Sequence, residues 1–167
     1  MAKNLIPLFL KEINDEAVTT RKMLQIIPED KYDWKPHEKS MSMKQLAVHI
    51  AEIPEWASMA IRTEGIDFAA QPYVPTPVEN NTELLALLET SVAAANDTLN
   101  QTAEETLDGS WTMSAGDQVF ATLSKADTIR HSLSQTIHHR AQLGVYLRLL
   151  NIPIPGTYGP SADDQMM

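Results

Sequence analysis

Apolar residues in the first part of the chain recur every three to four positions, which is the spacing of one face of an α-helix. The pattern covers about residues 3–27 and stops at Pro28. Its apolar positions are Leu5, Leu8, Phe9, Ile13, Val18, Met23, Leu24 and Ile27. We therefore predict a first helix over this stretch, with these side chains facing a core.

A second helical pattern begins near Ser40 or Ser42, and either serine is a suitable N-cap. One face of this predicted helix carries Leu46, His49, Ile50, Ile53 and Trp56, so that a histidine lies among apolar residues. Residues 65–79 contain one glycine and three prolines, a composition that predicts a long connection rather than a further helix.

The rest of the chain predicts two more long helices. The third covers about residues 82–105, and the fourth runs from Ser124 to about Leu150, with Asp127 completing part of a capping box. Between them, residues 107–123 alternate around Gly116-Asp117, which favours a short hairpin or an extended loop. The whole pattern predicts an all-α fold: a four-helix bundle with a long connection between helices 2 and 3, forming one domain over residues 1–167.

Composition narrows the possible functions. Hydrophobic residues make up 43% and charged residues 21% of the chain, which is typical of a soluble globular protein. With 22 acidic against 13 basic residues and a net charge of −9, we expect no general affinity for nucleic acid or anionic membranes. No apolar run reaches the length of a membrane span, and the first residues do not resemble a secretory signal, so we expect a cytoplasmic protein.

The chain has no cysteine, so any metal site must use nitrogen and oxygen donors. On the last helix His139 shares a face with Gln135, Leu143 and Tyr146, the more apolar of the two candidate faces. Gln135 and His139, at positions i and i+4, can point at one atom, and His49 would supply a third ligand from helix 2. Three protein ligands with open positions are typical of a catalytic metal site.

The alternative is that these groups simply satisfy each other inside the bundle. Buried polar side chains usually find ordinary hydrogen-bond partners, and a single histidine on an apolar face is more often a core residue than a ligand. We expect His131 and His138 to be solvated or to pack between helices. Spacing alone therefore leaves a metal site and an internal polar network both open.

The end of the chain resembles that of the DinB-like (DinB/YfiT) family of metal-binding four-helix bundles. The resemblance rests on four segments: residues 138–143 (HHRAQL), 146–148 (YLR), 153–155 (PIP) and 158–163 (YGPSAD). Residues 42–50 also resemble the family's second helix, and Lys35-Pro36-His37 the approach to it. The resemblance therefore extends over nearly the whole chain.

This resemblance implies a divalent metal, nickel or zinc, bound by three histidines. His49 matches the ligand from the second helix, and His139 matches the last ligand of a His-x-x-His-His-Arg pattern. The first position of that pattern is Gln135 in this chain. A carboxamide oxygen is a weaker donor than imidazole for these ions, so we expect lower metal affinity.

Two functions follow from the resemblance. The first is a metal-dependent enzyme of thiol S-transferase or hydrolase type, acting on a small molecule or a thiol. The second is a non-catalytic protein that binds a small ligand or serves in stress responses, in which Gln135 marks a degenerate metal site. The resemblance also favours a homodimer, while the acidic composition leads us to expect no nucleic-acid or membrane partner.

Overall fold

The computed structural model describes residues 4–164 and is mostly helical. Five α-helices are present in this range: α1 (Leu5–Leu24), α2 (Met43–Glu52), α3 (Trp56–Arg62), α4 (Asn81–Asn100) and α5 (Lys125–Leu149). Three strands accompany them: β1 (Gly65–Asp67), β2 (Ser110–Ala115) and β3 (Gln118–Ser124). The predicted four long helical segments are confirmed, but the all-α prediction is incomplete because it omitted a small sheet.

The predicted second helix is divided in two. A single 3₁₀ turn, Ile53–Glu55, separates α2 from α3 and contains Pro54. Proline cannot donate a backbone hydrogen bond, and its ring clashes with the carbonyl one turn earlier, so a regular α-helix is interrupted there. Helices α2 and α3 therefore act together as the second member of the bundle, beside α1, α4 and α5.

Two serines begin the helices that carry the candidate site. The Ser42 hydroxyl accepts a hydrogen bond from the Gln45 backbone N–H (3.2 Å), and the Gln45 side chain accepts one from the Ser42 N–H (2.8 Å). Ser124 likewise accepts from the backbone N–H of Asp127 (3.0 Å). These caps satisfy N–H groups that the first helical turn leaves unpaired, and they confirm the predicted starts of both helices.

The sheet packs at one end of the bundle. Strands β2 and β3 form the predicted hairpin around Gly116-Asp117, and Gly116 has a positive φ of 57°. Strand β1, which lies within the predicted connection, pairs with β2 in parallel. A side chain at Gly65 would place its Cβ 2.3 Å from the Thr112 carbonyl oxygen, so glycine permits this close pairing.

The core lies between the helices and is made mainly of aliphatic side chains. Its fully buried members include Leu24, Met43, Leu46, Ile50, Leu84, Leu88, Leu99, Ile129, Leu143 and Leu147. The predicted core face of α1 needs correction, because Leu8 and Val18 are 53% and 50% exposed. No helix within residues 4–164 is long and apolar enough to cross a membrane.

Charged side chains form hydrogen bonds with backbone groups at the ends of two helices. The Glu104 carboxylate accepts hydrogen bonds from the backbone N–H groups of Leu5 and Ile6, at the start of α1. The ammonium group of buried Lys125 donates to the carbonyls of Ile61 (3.0 Å) and Thr63 (2.9 Å), at the end of α3. Each charge lies where the helix dipole favours it.

Candidate metal centre

A buried ion pair fixes how α5 is rotated in the bundle. The Arg140 guanidinium lies 2.6 Å from the Glu16 carboxylate of α1 and also donates to the Thr20 hydroxyl (3.1 Å). Consecutive helical residues point about 100° apart, so anchoring Arg140 against α1 turns its neighbour His139 towards a different helix. The ring contacts of His139 identify that helix as α2.

The His139 ring meets the His49 ring of α2 edge to face. Their centroids are 4.6 Å apart and their planes are inclined by 79°. Both side chains are half-buried. The structure thus brings together two of the three predicted metal ligands, which come from opposite halves of the sequence.

A hydrogen bond defines which nitrogen of His139 is free. His139 Nδ1 lies 2.8 Å from Oε1 of Gln142. A carboxamide oxygen can only accept, so Nδ1 carries the proton and Nε2 presents a lone pair. Metal-binding histidines are commonly oriented in this way, by a partner on the nitrogen that does not bind the ion.

Gln135 forms its hydrogen bond with His131 and not with His49 or His139. Its amide nitrogen lies 3.2 Å from Nε2 of His131, one turn earlier on α5. An amide nitrogen can only donate, so the His131 ring accepts this hydrogen bond. Within residues 4–164, no group of three His, Cys, Asp or Glu side chains is arranged to hold a metal. A third donor would therefore have to be a side chain of another type. The one predicted from the sequence, the Gln135 amide oxygen, has no hydrogen-bond partner in the described part of the chain.

Burial and neighbouring charge lower the pKa of both imidazoles. For His49 the main cause is burial, followed by repulsion from His139, while Glu52 acts in the opposite direction. Burial is also the main cause for His139; the hydrogen bond to Gln142 opposes it, and His138 adds a smaller lowering. Both rings are therefore neutral at physiological pH, which is the form that binds metals.

Two aromatic side chains and one carboxylate surround His49. The rings of Trp56 and Tyr73 lie 5.9 Å and 6.1 Å from it, both edge to face. Glu52 accepts hydrogen bonds from the Tyr73 hydroxyl (2.6 Å) and from the Thr76 backbone N–H (2.8 Å). This carboxylate therefore holds the connecting loop against α2. Burial is the main cause that raises the pKa of Tyr73, and the hydrogen bond to Glu52 raises it further.

Sequence reasoning identified Trp56 but missed Glu52 and Tyr73. Glu52 lies three residues after His49, so its place on the same helical face was readable from the sequence. Tyr73 belongs to an irregular segment, and no periodic pattern places it near the histidines. The exposed His138 lies beside His139 with a centroid separation of 4.9 Å.

Solved structures of DinB-like proteins have the same fold. YjoA from Bacillus subtilis is 22% identical, with 96% of this chain and 99% of that chain covered and a TM-score of 0.67. A DinB-like protein from Bacillus cereus is 18% identical, with 90% and 95% covered and a TM-score of 0.67. YfiT from B. subtilis, described as a probable metal-dependent hydrolase with an unusual four-helix bundle topology, is 10% identical, with 92% and 91% covered and a TM-score of 0.67.

The sequence itself matches a family model. No curated protein gives a significant match to this chain. The model of the DinB family, however, matches residues 1–166, which is almost the full length. Together with the helical architecture, this match shows that the chain belongs to the DinB family.

Proposed function

We propose that this protein is a metal-dependent enzyme whose divalent ion, zinc or nickel, is held by His49 and His139. The Gln135 amide oxygen would serve as a third and weaker donor. The observation that carries the proposal is the contact between two imidazole rings from different helices, whose centroids are 4.6 Å apart. In a chain without cysteine, such a pair is the donor set best suited to these ions.

The protonation of the site fits this role. His139 presents its Nε2 lone pair because Nδ1 donates to Gln142. The His49 ring makes no hydrogen bond within the described residues, although it is half-buried. Lowered pKa values keep both rings neutral, so no proton has to be displaced near pH 7 when a cation binds.

Gln135 fits as an auxiliary donor. Because its nitrogen donates to His131, its oxygen is left to accept from a hydrogen or to bind a cation. Three protein donors leave open coordination positions, which is typical of catalytic rather than structural sites. A bound divalent ion would lower the pKa of a water molecule or thiol and so provide a nucleophile near neutral pH.

The remaining residues would shape the reaction space. Glu52 fixes Tyr73 and Thr76 of the connecting loop beside His49. A space of about 350 Å³, bordered by Met41, Gln45 and Pro75, opens next to the same ring. A small electrophile entering there would meet the His49 ring, which in turn contacts His139. Hydrolysis, or transfer to a thiol, is therefore the reaction class that we infer.

Metal binding provides the first test. Isothermal titration with Zn²⁺ and Ni²⁺ should give one site, which His49→Ala and His139→Ala each abolish. Gln135→His should tighten binding by about tenfold or more, since imidazole is the better ligand. His37→Ala is the matched control, because His37 lies on an exposed loop. Unchanged affinity in His49→Ala would contradict the proposal.

Activity provides the second test. The metal-loaded protein is mixed with p-nitrophenyl acetate, and separately with cysteine and 1-chloro-2,4-dinitrobenzene. We expect turnover in at least one assay, lost in His139→Ala. Bound metal without turnover in either assay, across a wider panel of esters and thiols, would exclude the enzymatic function.

A second function is supported by the hydrogen bond between Gln135 and His131. If this bond holds the amide oxygen away from the histidine pair, the site binds a small ligand without metal. Ligand affinity that does not change when a chelator is added would favour this non-catalytic function over the first.

A further inference from the structure

A cavity of about 470 Å³ lies beside the candidate metal centre. It is enclosed by α3, by the edge of the sheet and by residues 68–73 of the connecting loop. Its lining includes a group of aromatic and sulfur-containing side chains: Trp56, Met59, Phe68, Trp111 and Met113. Such flat, polarisable walls suit a planar apolar ligand.

The cavity and the histidine pair share two walls. Trp56 and Tyr73 line the cavity, and both also contact the His49 ring. A molecule that fills the cavity therefore ends about one aromatic ring away from His49.

The opposite end of the cavity carries a cation. Arg62 lies on its rim, is exposed, and forms no hydrogen bond or ion pair within residues 4–164. The cavity runs beside the end of α2, the 3₁₀ turn and α3, from Glu52 to Arg62, ten residues that span roughly 15 Å. Two carboxylates also line the cavity: Glu52 is occupied by Tyr73 and Thr76, and Glu55 lies seven residues before Arg62, about 10 Å away along the chain axis. At the Arg62 end the guanidinium has its donors available. In a chain of net charge −9, this cation at an apolar cavity provides a local site for an anion.

We propose that this cavity binds a small organic anion with a planar apolar body, such as an aromatic carboxylate or sulfonate. The apolar body lies against Trp56, Phe68 and Trp111, and the anionic group meets Arg62. The other end of the molecule faces His49. That this ligand is the substrate rests on the proposed function, but that the cavity binds such anions does not.

Two dyes with the same ring system test the proposal. 8-Anilinonaphthalene-1-sulfonate carries a sulfonate, whereas N-phenyl-1-naphthylamine is uncharged. Fluorescence titration of the metal-free full-length protein should give one site and tighter binding of the anionic dye. Arg62→Gln should weaken the anionic dye by about tenfold, the loss of one charge-assisted contact, and leave the uncharged dye unchanged. Phe68→Ala should weaken both dyes.

Matched variants separate the cavity from the rest of the surface. Arg130→Gln and Phe120→Ala alter an arginine of α5 and an exposed aromatic residue of β3, neither of which lines the cavity. Both should bind the dyes as the unaltered protein does. The proposal is overturned if the Arg62→Gln and Arg130→Gln variants bind the sulfonate dye with equal affinity. It is also overturned if the Phe68→Ala and Phe120→Ala variants bind each of the two dyes with equal affinity.

The same titrations distinguish this proposal from the metal-site proposal. Dye binding that persists in His49→Ala, with metal binding lost, supports both. Dye binding that is insensitive to Arg62 and Phe68, with metal binding intact, overturns the cavity proposal alone. Cavity binding without any metal affinity overturns the metal-dependent function alone.

Discussion

Glu16→Gln removes the carboxylate that pairs with the buried guanidinium of Arg140. The two groups are 2.6 Å apart, and their side chains are 11% and 2% exposed. Arginine cannot lose its charge within the range of pH over which proteins fold, so the substitution leaves a buried cation with neutral partners. Such a change is expected to destabilise the fold strongly.

The magnitude follows from the contacts that remain. Removing one partner of a buried ion pair costs about 3–5 kcal/mol. Arg140 would keep its hydrogen bonds to the Glu16 carbonyl, the Thr20 hydroxyl and the Tyr158 hydroxyl. We therefore expect a loss near the lower limit, about 3 kcal/mol, which is a large part of the 5–15 kcal/mol typical of a domain.

Urea unfolding followed by circular dichroism measures this loss. Glu89→Gln is the matched control, because Glu89 forms an exposed ion pair with Arg21 at the same 2.6 Å distance. Exposed pairs contribute about 0–1 kcal/mol, so the control should barely move the midpoint. The double variant Glu16→Met with Arg140→Met should recover much of the loss, because it removes both buried charges. Equal midpoints for Glu16→Gln and Glu89→Gln would refute the reasoning.

Three further predictions concern the helix ends and the histidine pair. Lys125→Met should lower the free energy of unfolding by about 1–3 kcal/mol, because it leaves carbonyls at the end of α3 unpaired, whereas exposed Lys22→Met should not. Ser42→Ala should cost about 1 kcal/mol through loss of the N-cap, measured by the same urea unfolding. Folding lowers the pKa of His49 and His139 below 6.5, so the unfolded chain binds more protons than the folded protein just below that pH. The free energy of unfolding of the metal-free protein should therefore fall as the pH decreases from 6.5 towards the folded pKa values. A double variant of both histidines to glutamine should show a weaker pH dependence, and an unchanged dependence would contradict this assignment.

The bundle was predictable because its helices are long, periodic and marked by caps. The break at Pro54 was missed, since the apolar period continues across it and the 3₁₀ turn preserves the buried face. Strand β1 was missed for a different reason. It has three residues and exists because Gly65 can pair closely with β2, a contact distant in sequence that no local pattern reports.

The two histidines of the site were predictable for the same reason as the bundle, but their surroundings were not. His49 and His139 each stood on the more apolar face of a helix, so their meeting followed from the packing of the bundle. The burial of Arg140 was not predictable, because arginine is usually exposed and nothing in the local sequence marks this one as buried. Its partner Glu16 lies on α1, so the pair becomes apparent only when the helices are packed.

Gln135 is where the sequence and the structure have to be considered together. Residues 131, 135 and 139 follow one another at intervals of one turn, so helical spacing alone allows Gln135 to serve His131 or His139. The structure assigns its amide nitrogen to His131. Since the two ends of a carboxamide have opposite chemistry, a nitrogen that donates to the His131 ring leaves an oxygen suited to a cation. On the proposed function, glutamine is then more than a weakened histidine, because it can satisfy His131 and bind a metal ion at the same time.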